Sequence, residues 1–327
     1  MRKNVKQQLA LRVLSTAALM AMVSSIATAA FADTYDLNKG SVTVETKEDG
    51  ATYVTQKDDN QADGYARNEK NDILHDYQDK TGVTITSGGE KTSNTITVET
   101  AKDQTTDVTL KDVNIQKDKW DNESAAMTIK GEGDTEIELN GDNTLISGHY
   151  HAGLEKADDV SQGSLTIKDD KNNDGSEKAK DEDGDIGTLI AAGGYDGAGI
   201  GGRMNEYDKG ETDKTCTSTS NITITGGKIK AGSLNETKEE YYLPEYSGAG
   251  IGGASGGPTG GGNATNITIT GNADVSAAGG YYAAGIGGGY YGDATNITIS
   301  GNAKVTAAGS NSGGAGIGGG DYGTGNV

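Results

Sequence analysis

A motif that returns along the chain constrains this sequence more than any single residue. Ala-Gly-Ile-Gly-Gly occurs at 198–202, 249–253, 284–288 and 315–319, and Asn-Ile-Thr-Ile at 221–224, 266–269 and 296–299. The cleanest unit, 266–295, is 30 residues long and holds three short segments, 266–270, 274–278 and 284–288, which the next unit repeats in order. Such self-similarity is the mark of a repeat architecture. Within Asn-Ile-Thr-Ile-Thr the Ile residues share one face and the Thr residues the other, and period two with β-branched residues specifies strand. Strands this short, punctuated by Gly and Asn, leave no room for a helix in each unit. The expected fold is therefore all-β: a single-stranded parallel β-helix, a solenoid with three short strands per coil. Ile222, Ile267 and Ile297 should stack in one internal column, and Ile200, Ile251, Ile286 and Ile317 in another, at the spacing of strands in a sheet. Fainter copies reach back to residue 107, giving about six turns from there to the end. A disordered Gly-rich tail would have no need of in-register Ile.

Composition agrees. Hydrophobic residues make up only 33% of the 327, too few for a core with helices on both faces of a sheet but enough for a narrow solenoid filled by one or two aliphatics per strand. The 52 Gly and 2 Pro exclude collagen. Arg2, Lys3, Lys6 and Arg12 precede a short apolar run, and Ala30-Phe31-Ala32 suits a small-x-small cleavage, so 1–32 reads as a signal peptide. Its loss removes four cations and no carboxylate, taking the net charge from −20 to −24. A chain this acidic will not hold nucleic acid by neutralising phosphates, and no later segment is apolar enough to insert in a membrane. Secretion is expected, with attachment at the cell surface as an option. Cys216 is alone and has no intramolecular disulfide partner.

Residues 33–106 are more polar. They carry strand-like 41–45, 83–86 and 95–99, with 57–80 as a loop or short helix, and are expected to form an N-terminal β cap. Residues 107–327 would be the Gly-rich β-helix. It stops where another Asn-Ile-Thr strand would begin, so either a truncation or a covering partner, such as a cell-wall or C-terminal domain, is expected there.

No catalytic constellation stands out, and a non-enzyme is expected. After the leader only Arg67 and Arg203 remain as arginines, and neither sits in a strand pattern that would fix it as the base of a uronate lyase. A hydrolase needs convergent carboxylates, but Asp58-Asp59, Asp158-Asp159 and Asp169-Asp170 all fall in charged loops. His149 and His151 flank Tyr150, either sharing a metal or simply solvated. The acidic loop is the best metal signal: Asp170, Asn172 and Asp174 alternate before Gly175, and Asp181 closes the loop eleven residues on, followed by Asp183 and Asp185. That is the oxygen-ligand pattern of a calcium loop. A solvated charge run is the other reading, since Lys178 interrupts it and no helices flank it.

Tyrosines recur at fixed offsets. Tyr195, Tyr246 and Tyr281 stand three residues before their Ala-Gly-Ile-Gly-Gly, Tyr150 and Tyr282 two before theirs, and Tyr291 and Tyr322 seven after the first Ala of theirs. In a solenoid equal offsets become columns. Outward rings suit sugar faces and can also hydrogen-bond; self-stacking that stabilises corners is the competing reading. Paired outward Thr223/Thr225, Thr268/Thr270 and Thr298/Ser300 look like an ice-binding array, though Thr is an ordinary choice for a solvent-facing strand. Asn221, Asn266 and Asn296 should form a hydrogen-bonded corner ladder.

Asn-Thr-Ile-Thr-Val at 94–98, Asp-Val-Thr-Leu-Lys-Asp-Val-Asn-Ile at 107–115, Ala-Met-Thr-Ile-Lys-Gly at 126–131 and Glu-Ile-Glu-Leu-Asn-Gly-Asp-Asn-Thr-Leu at 136–145, followed by the Gly-Ala-Gly-Ile-Gly-Gly repeats, resemble one family. It is that of the carbohydrate-binding-domain-containing β-helix proteins of Gram-positive gut and cellulolytic bacteria. The resemblance covers roughly 33–327. It implies export, a right-handed β-helix related to pectate lyases, binding of acidic plant polysaccharide with bound calcium, and no known catalysis. A structural or adhesive surface solenoid that binds no glycan is the alternative.

Overall fold

The computed structural model describes residues 32–121, 123–171, 186–205, 215–232, 248–256 and 260–326. The signal-peptide expectation, Tyr246, Asn172, Asp174, Asp181, Asp183 and Asp185 lie outside the described residues. Every regular element among the described residues is a strand.

The strands assemble into three sheets that advance together along one axis. Each of the six coils from Thr105 onward places one strand in each sheet; in the cleanest coil these are Ala264–Ile269, Asp274–Ala278 and Ile286–Gly287. Ladders between consecutive coils are parallel and in register. In the first sheet Leu165 pairs with Ile222, Ile222 with Ile267, and Ile267 with Ile297. In the third, Leu154, Ile200, Ile251, Ile286 and Ile317 pair in succession. This is the expected all-β parallel β-helix with three short strands per coil. First-sheet strands beginning at Thr105, Asp134, Leu165, Thr219, Ala264 and Ala294 open the six coils counted from the repeats.

The core is built as alternation dictates. Ile222, Ile267, Ile200, Ile251 and Ile286 are fully buried. Burial declines in the last coil, where Ile317 is half-buried and Ile299 is 41% exposed. A full Ile column removes each side chain from water, worth about 1.5–3 kcal/mol per residue. Inside the earlier coils the column becomes polar: Thr106 donates to Thr46 at 2.7 Å, and Thr100 lies 2.7 Å from Thr106 and 3.2 Å from Thr135. Buried hydroxyls are tolerated because they satisfy one another.

Asn221, Asn266 and Asn296 sit inside first-sheet strands with φ of +56°, +56° and +57°. They interrupt the alternation, so that Thr219 and Ile222 both point inward. Their side chains form the expected ladder: Asn266 Nδ2 donates to Asn221 at 2.9 Å and Asn296 Nδ2 to Asn266 at 2.7 Å. Asn is the non-Gly residue best suited to this left-handed region.

The segment 33–106, expected as a cap, is itself coiled. Asp33–Asp36 and Val83–Thr86 continue the first sheet, and Val42–Thr46 and Ile96–Thr100 the third. The departure is antiparallel: Val42–Thr46 pairs with Thr52–Gln56, which pairs with Tyr77–Asp79. Between them 57–76 forms a loop with antiparallel bridges Lys57–Tyr65 and Arg67–Ile73 and no helix, while Tyr77–Asp79, expected as part of that loop, is a strand. Val54, Ala66, Leu74, Tyr35 and Leu37 are buried in this region. An antiparallel excursion ends the parallel stacking of the third sheet, as a capped solenoid requires.

Candidate functional site

From Leu154–Glu155 onward the third sheet is the narrow side of each coil. Ile286–Gly287 and Ile317–Gly318 are two residues long, so the corners before and after them lie close together. Glycine makes this possible. Gly252 has φ +145°, and a Cβ there would fall 1.9 Å from the Gly287 carbonyl oxygen of the next coil. Corner residues of neighbouring coils are joined by main-chain hydrogen bonds. Met204 N donates to Tyr150 O, Ser255 N to Asp196 O and Asp321 N to Tyr282 O, each at 2.8 Å. The two corners thus merge into one ridge along the axis.

Tyrosines occupy its C-terminal part. Tyr281 and Tyr282 meet edge to face at 4.1 Å, Tyr282 stacks on Tyr290 at 4.6 Å, and Tyr291 stacks on Tyr322 at 5.0 Å. The Tyr282 hydroxyl donates to that of Tyr281 at 3.2 Å, which raises the Tyr282 pKa. The hydroxyl contact with Tyr291, followed by desolvation, pushes Tyr290 up to about 12. Tyr282 and Tyr290 are thus held neutral at physiological pH, able to donate and accept. Tyr282, Tyr291 and Tyr322 have φ of +63°, +63° and +62°. That region costs a non-glycine residue roughly 1–2 kcal/mol, in a ridge otherwise rich in glycine. Tyr322 is 73% exposed. Of the tyrosines singled out by offset, 281, 282, 291 and 322 are brought together. Tyr290 joins them, and its position directly before Tyr291 was the available signal.

Tyr195 belongs to a second group on the same ridge. His149 contacts Trp120 at 4.9 Å, Tyr150 at 4.9 Å and Tyr195 at 5.3 Å. Trp120 is 66% exposed, with the Lys119 ammonium 5.2 Å from its ring. No offset marked Trp120, because its corner precedes the recognisable Ala-Gly-Ile-Gly-Gly copies.

Beneath this group the repeat departs from glycine. Glu155 pairs with Gly201, at the position Gly252 and Gly287 hold in later coils. Its side chain is 4% exposed and takes a 2.7 Å hydrogen bond with His151 Nδ1 and one of 3.3 Å from Arg203. Arg203 also donates to Asp159 at 2.8 Å. The structure therefore fixes Arg203, which the strand pattern did not. It also separates the two histidines: His149 enters the aromatic group, and His151 turns to the carboxylate. Lys156, fully buried, donates to Ser161 O at 3.2 Å, and burial pushes its ammonium below the usual range. The paired aspartates do not converge as hydrolase carboxylates. Asp158 accepts from Ser220, Asp159 from Arg203, and Asp58 from Asn60.

Of the calcium-loop residues Asp170 is described. Beside it lies Glu138, on the first-sheet strand Asp134–Asn140. Alternation would put Glu138 in solvent, yet it is only 3% exposed. One carboxylate oxygen accepts from Lys171 N at 2.7 Å, and the other, Oε2, is buried with no hydrogen-bond partner among the described residues. Burial raises its pKa, and the charges of Asp170 and Asp169 add to the shift. Among the described residues no group of three or more His, Cys, Asp or Glu is arranged to hold a metal. A polar cleft of roughly 350 Å³ lies in the N-terminal coils between Lys39, Arg67, Glu69 and Ser87, away from the ridge.

Compared with known proteins, residues 222–257, 267–290 and 297–321 match the Beta helix repeat family. The matched stretches fall on successive coils. No curated protein and no solved structure matches the chain.

Proposed function

We propose that the protein is an exported, non-catalytic β-helix that binds polysaccharide on its aromatic ridge, acidic glycan being taken with calcium. The observation that carries this is the ridge itself. Rings are kept at positive φ, where glycine would be cheaper, and those of Tyr291 and Tyr322 are exposed. Sugar C–H faces stack on such rings and sugar hydroxyls meet phenol oxygens. A platform of this kind needs no enclosed pocket.

Calcium suits the charge. A net charge of −20, made more negative by loss of the leader, repels uronate chains. When bound, calcium would bridge carboxylates of protein and glycan through its flexible oxygen shell. Glu138, with a buried oxygen lacking a partner among the described residues, and Asp170 fit such an ion. Asn172, Asp174, Asp181, Asp183 and Asp185 are the sequence-based candidates to complete its shell.

The test is a binding isotherm for polygalacturonate in calcium and in chelator, on wild type and on a variant with the five Asp of the loop changed to Asn. The expected result is calcium-dependent binding that the variant loses. A second reading, a structural or adhesive solenoid, is favoured by the stacking of Tyr282 on Tyr290 and of Tyr291 on Tyr322. Absence of binding to acidic and neutral glycans alike decides for it.

A further inference from the structure

The two aromatic groups sit on corners of the same sheet. Gly194 N donates to His151 O, Gly248 N to Gly197 O and Gly280 N to Gly248 O, so the described corner residues are linked coil to coil from the His149 group to the Tyr282 group. Trp120 lies in the coil begun by Thr105–Lys111, and Tyr322 follows Ile317–Gly318, five coils later. At one strand spacing per coil the ridge is about 24 Å long. One coil advances by nearly the length of a pyranose unit in an extended chain, so aromatic steps on neighbouring coils meet neighbouring sugars.

We propose that a single linear polysaccharide chain lies lengthwise on this ridge, parallel to the solenoid axis, with Trp120 and His149 as one contact and Tyr282, Tyr291 and Tyr322 as the other. This rests on the polysaccharide-binding reading and adds the direction and extent of the ligand. A glycan crossing the ridge would meet one or two coils and one aromatic group. A glycan along it meets both. Lys119 over the exposed Trp120 ring gives that end a cation for a sugar carboxylate. The Glu155 pairs with His151 and Arg203 hold the corner from within, so the Trp120 end is presented on a fixed base.

Two contacts on one chain make the second one intramolecular, and affinity then rises with ligand length by about tenfold or more once both are spanned. The experiment is calorimetry of the full chain with oligogalacturonide trimer, hexamer and decamer in millimolar calcium. Trp120→Ala and Tyr322→Ala serve as variants; both residues are exposed and leave the core untouched. The expected result is a drop in Kd of about tenfold or more from trimer to decamer in wild type, with each single variant binding the decamer no better than the trimer. A wild-type affinity independent of length, or a decamer gain that survives both substitutions, overturns the lengthwise chain while leaving polysaccharide binding in place. No binding of any oligomer overturns the polysaccharide reading itself, and the lengthwise chain with it.

Discussion

Asp321 N donates to the carbonyl of Tyr282 at 2.8 Å, although the two residues belong to successive coils and to opposite corners of the third sheet. Asp321 O in turn accepts from Tyr291 N at 2.9 Å. One residue thus holds two tyrosines whose φ angles are both positive. The backbone here is determined by its neighbours, so glycine could occupy either tyrosine position with less strain.

This separates the two readings of the ridge. Tyr282→Gly relieves about 1–2 kcal/mol of backbone strain and removes ring contacts with Tyr281 and Tyr290. If the ring is kept for ligand, the melting temperature should hold or rise while glycan affinity falls. Thermal unfolding and a binding isotherm on the same preparation check it. A lower melting temperature with unchanged binding assigns the ring to corner stability.

The Ile columns make a quantitative prediction. Ile267 is fully buried between Ile222 and Ile297, whereas Ile299, one coil on in the adjacent column, is 41% exposed. Ile267→Ala should cost about 2–5 kcal/mol and Ile299→Ala far less. Ile267→Asp should abolish the folded state, because an unpaired carboxylate is forced into the column. Urea unfolding of the three variants measures the contrast.

Those columns were legible in the sequence because a solenoid turns equal offsets into stacked positions. Alternation within Asn-Ile-Thr-Ile and the recurrence of Ala-Gly-Ile-Gly-Gly already contain the register found between Ile222, Ile267 and Ile297. What was not legible depends on neighbours at unequal offsets. Glu138 looks solvent-facing by alternation, yet it is buried, with Lys171 N bonded to it and Asp169 and Asp170 nearby one coil later. Arg203 acquires its place from Glu155, where the repeat loses glycine. Trp120 stands in a corner too diverged to align with the later ones. The aromatic ridge was legible at Tyr281, Tyr282, Tyr291 and Tyr322, where the repeat is regular. Its other end was not.

The asparagine ladder should matter to stability in steps. Asn266 accepts from Asn296 and donates to Asn221, and it holds φ +56° inside a strand. Asn266→Ala loses both side-chain bonds and places a Cβ-bearing residue in the left-handed region, with an expected cost of about 1–2 kcal/mol. Asn266→Gly loses the bonds but keeps the backbone easy, and should cost less. Melting curves that rank Gly below Ala in stability contradict the assignment of strain to that angle.

Glu138 links pH, calcium and the acidic loop. Its folded-state pKa is raised, first by burial and then by Asp170 and Asp169, so the folded protein prefers it protonated. By linkage this group's contribution is fully present below the ordinary glutamate range and is lost as pH rises through the folded value. Once ionised, Glu138 without calcium opposes folding. Glu138→Gln should therefore stabilise the metal-free protein at neutral pH and flatten its stability profile on the alkaline side of the glutamate range. A cation that satisfies Glu138 Oε2 reverses the order, because calcium favours the carboxylate and has less to gain from the amide. Wild type should then gain more melting temperature from millimolar calcium than Glu138→Gln does, and chelator should erase the difference. Equal calcium shifts in the two proteins would remove Glu138 from the metal site while leaving its pH dependence intact.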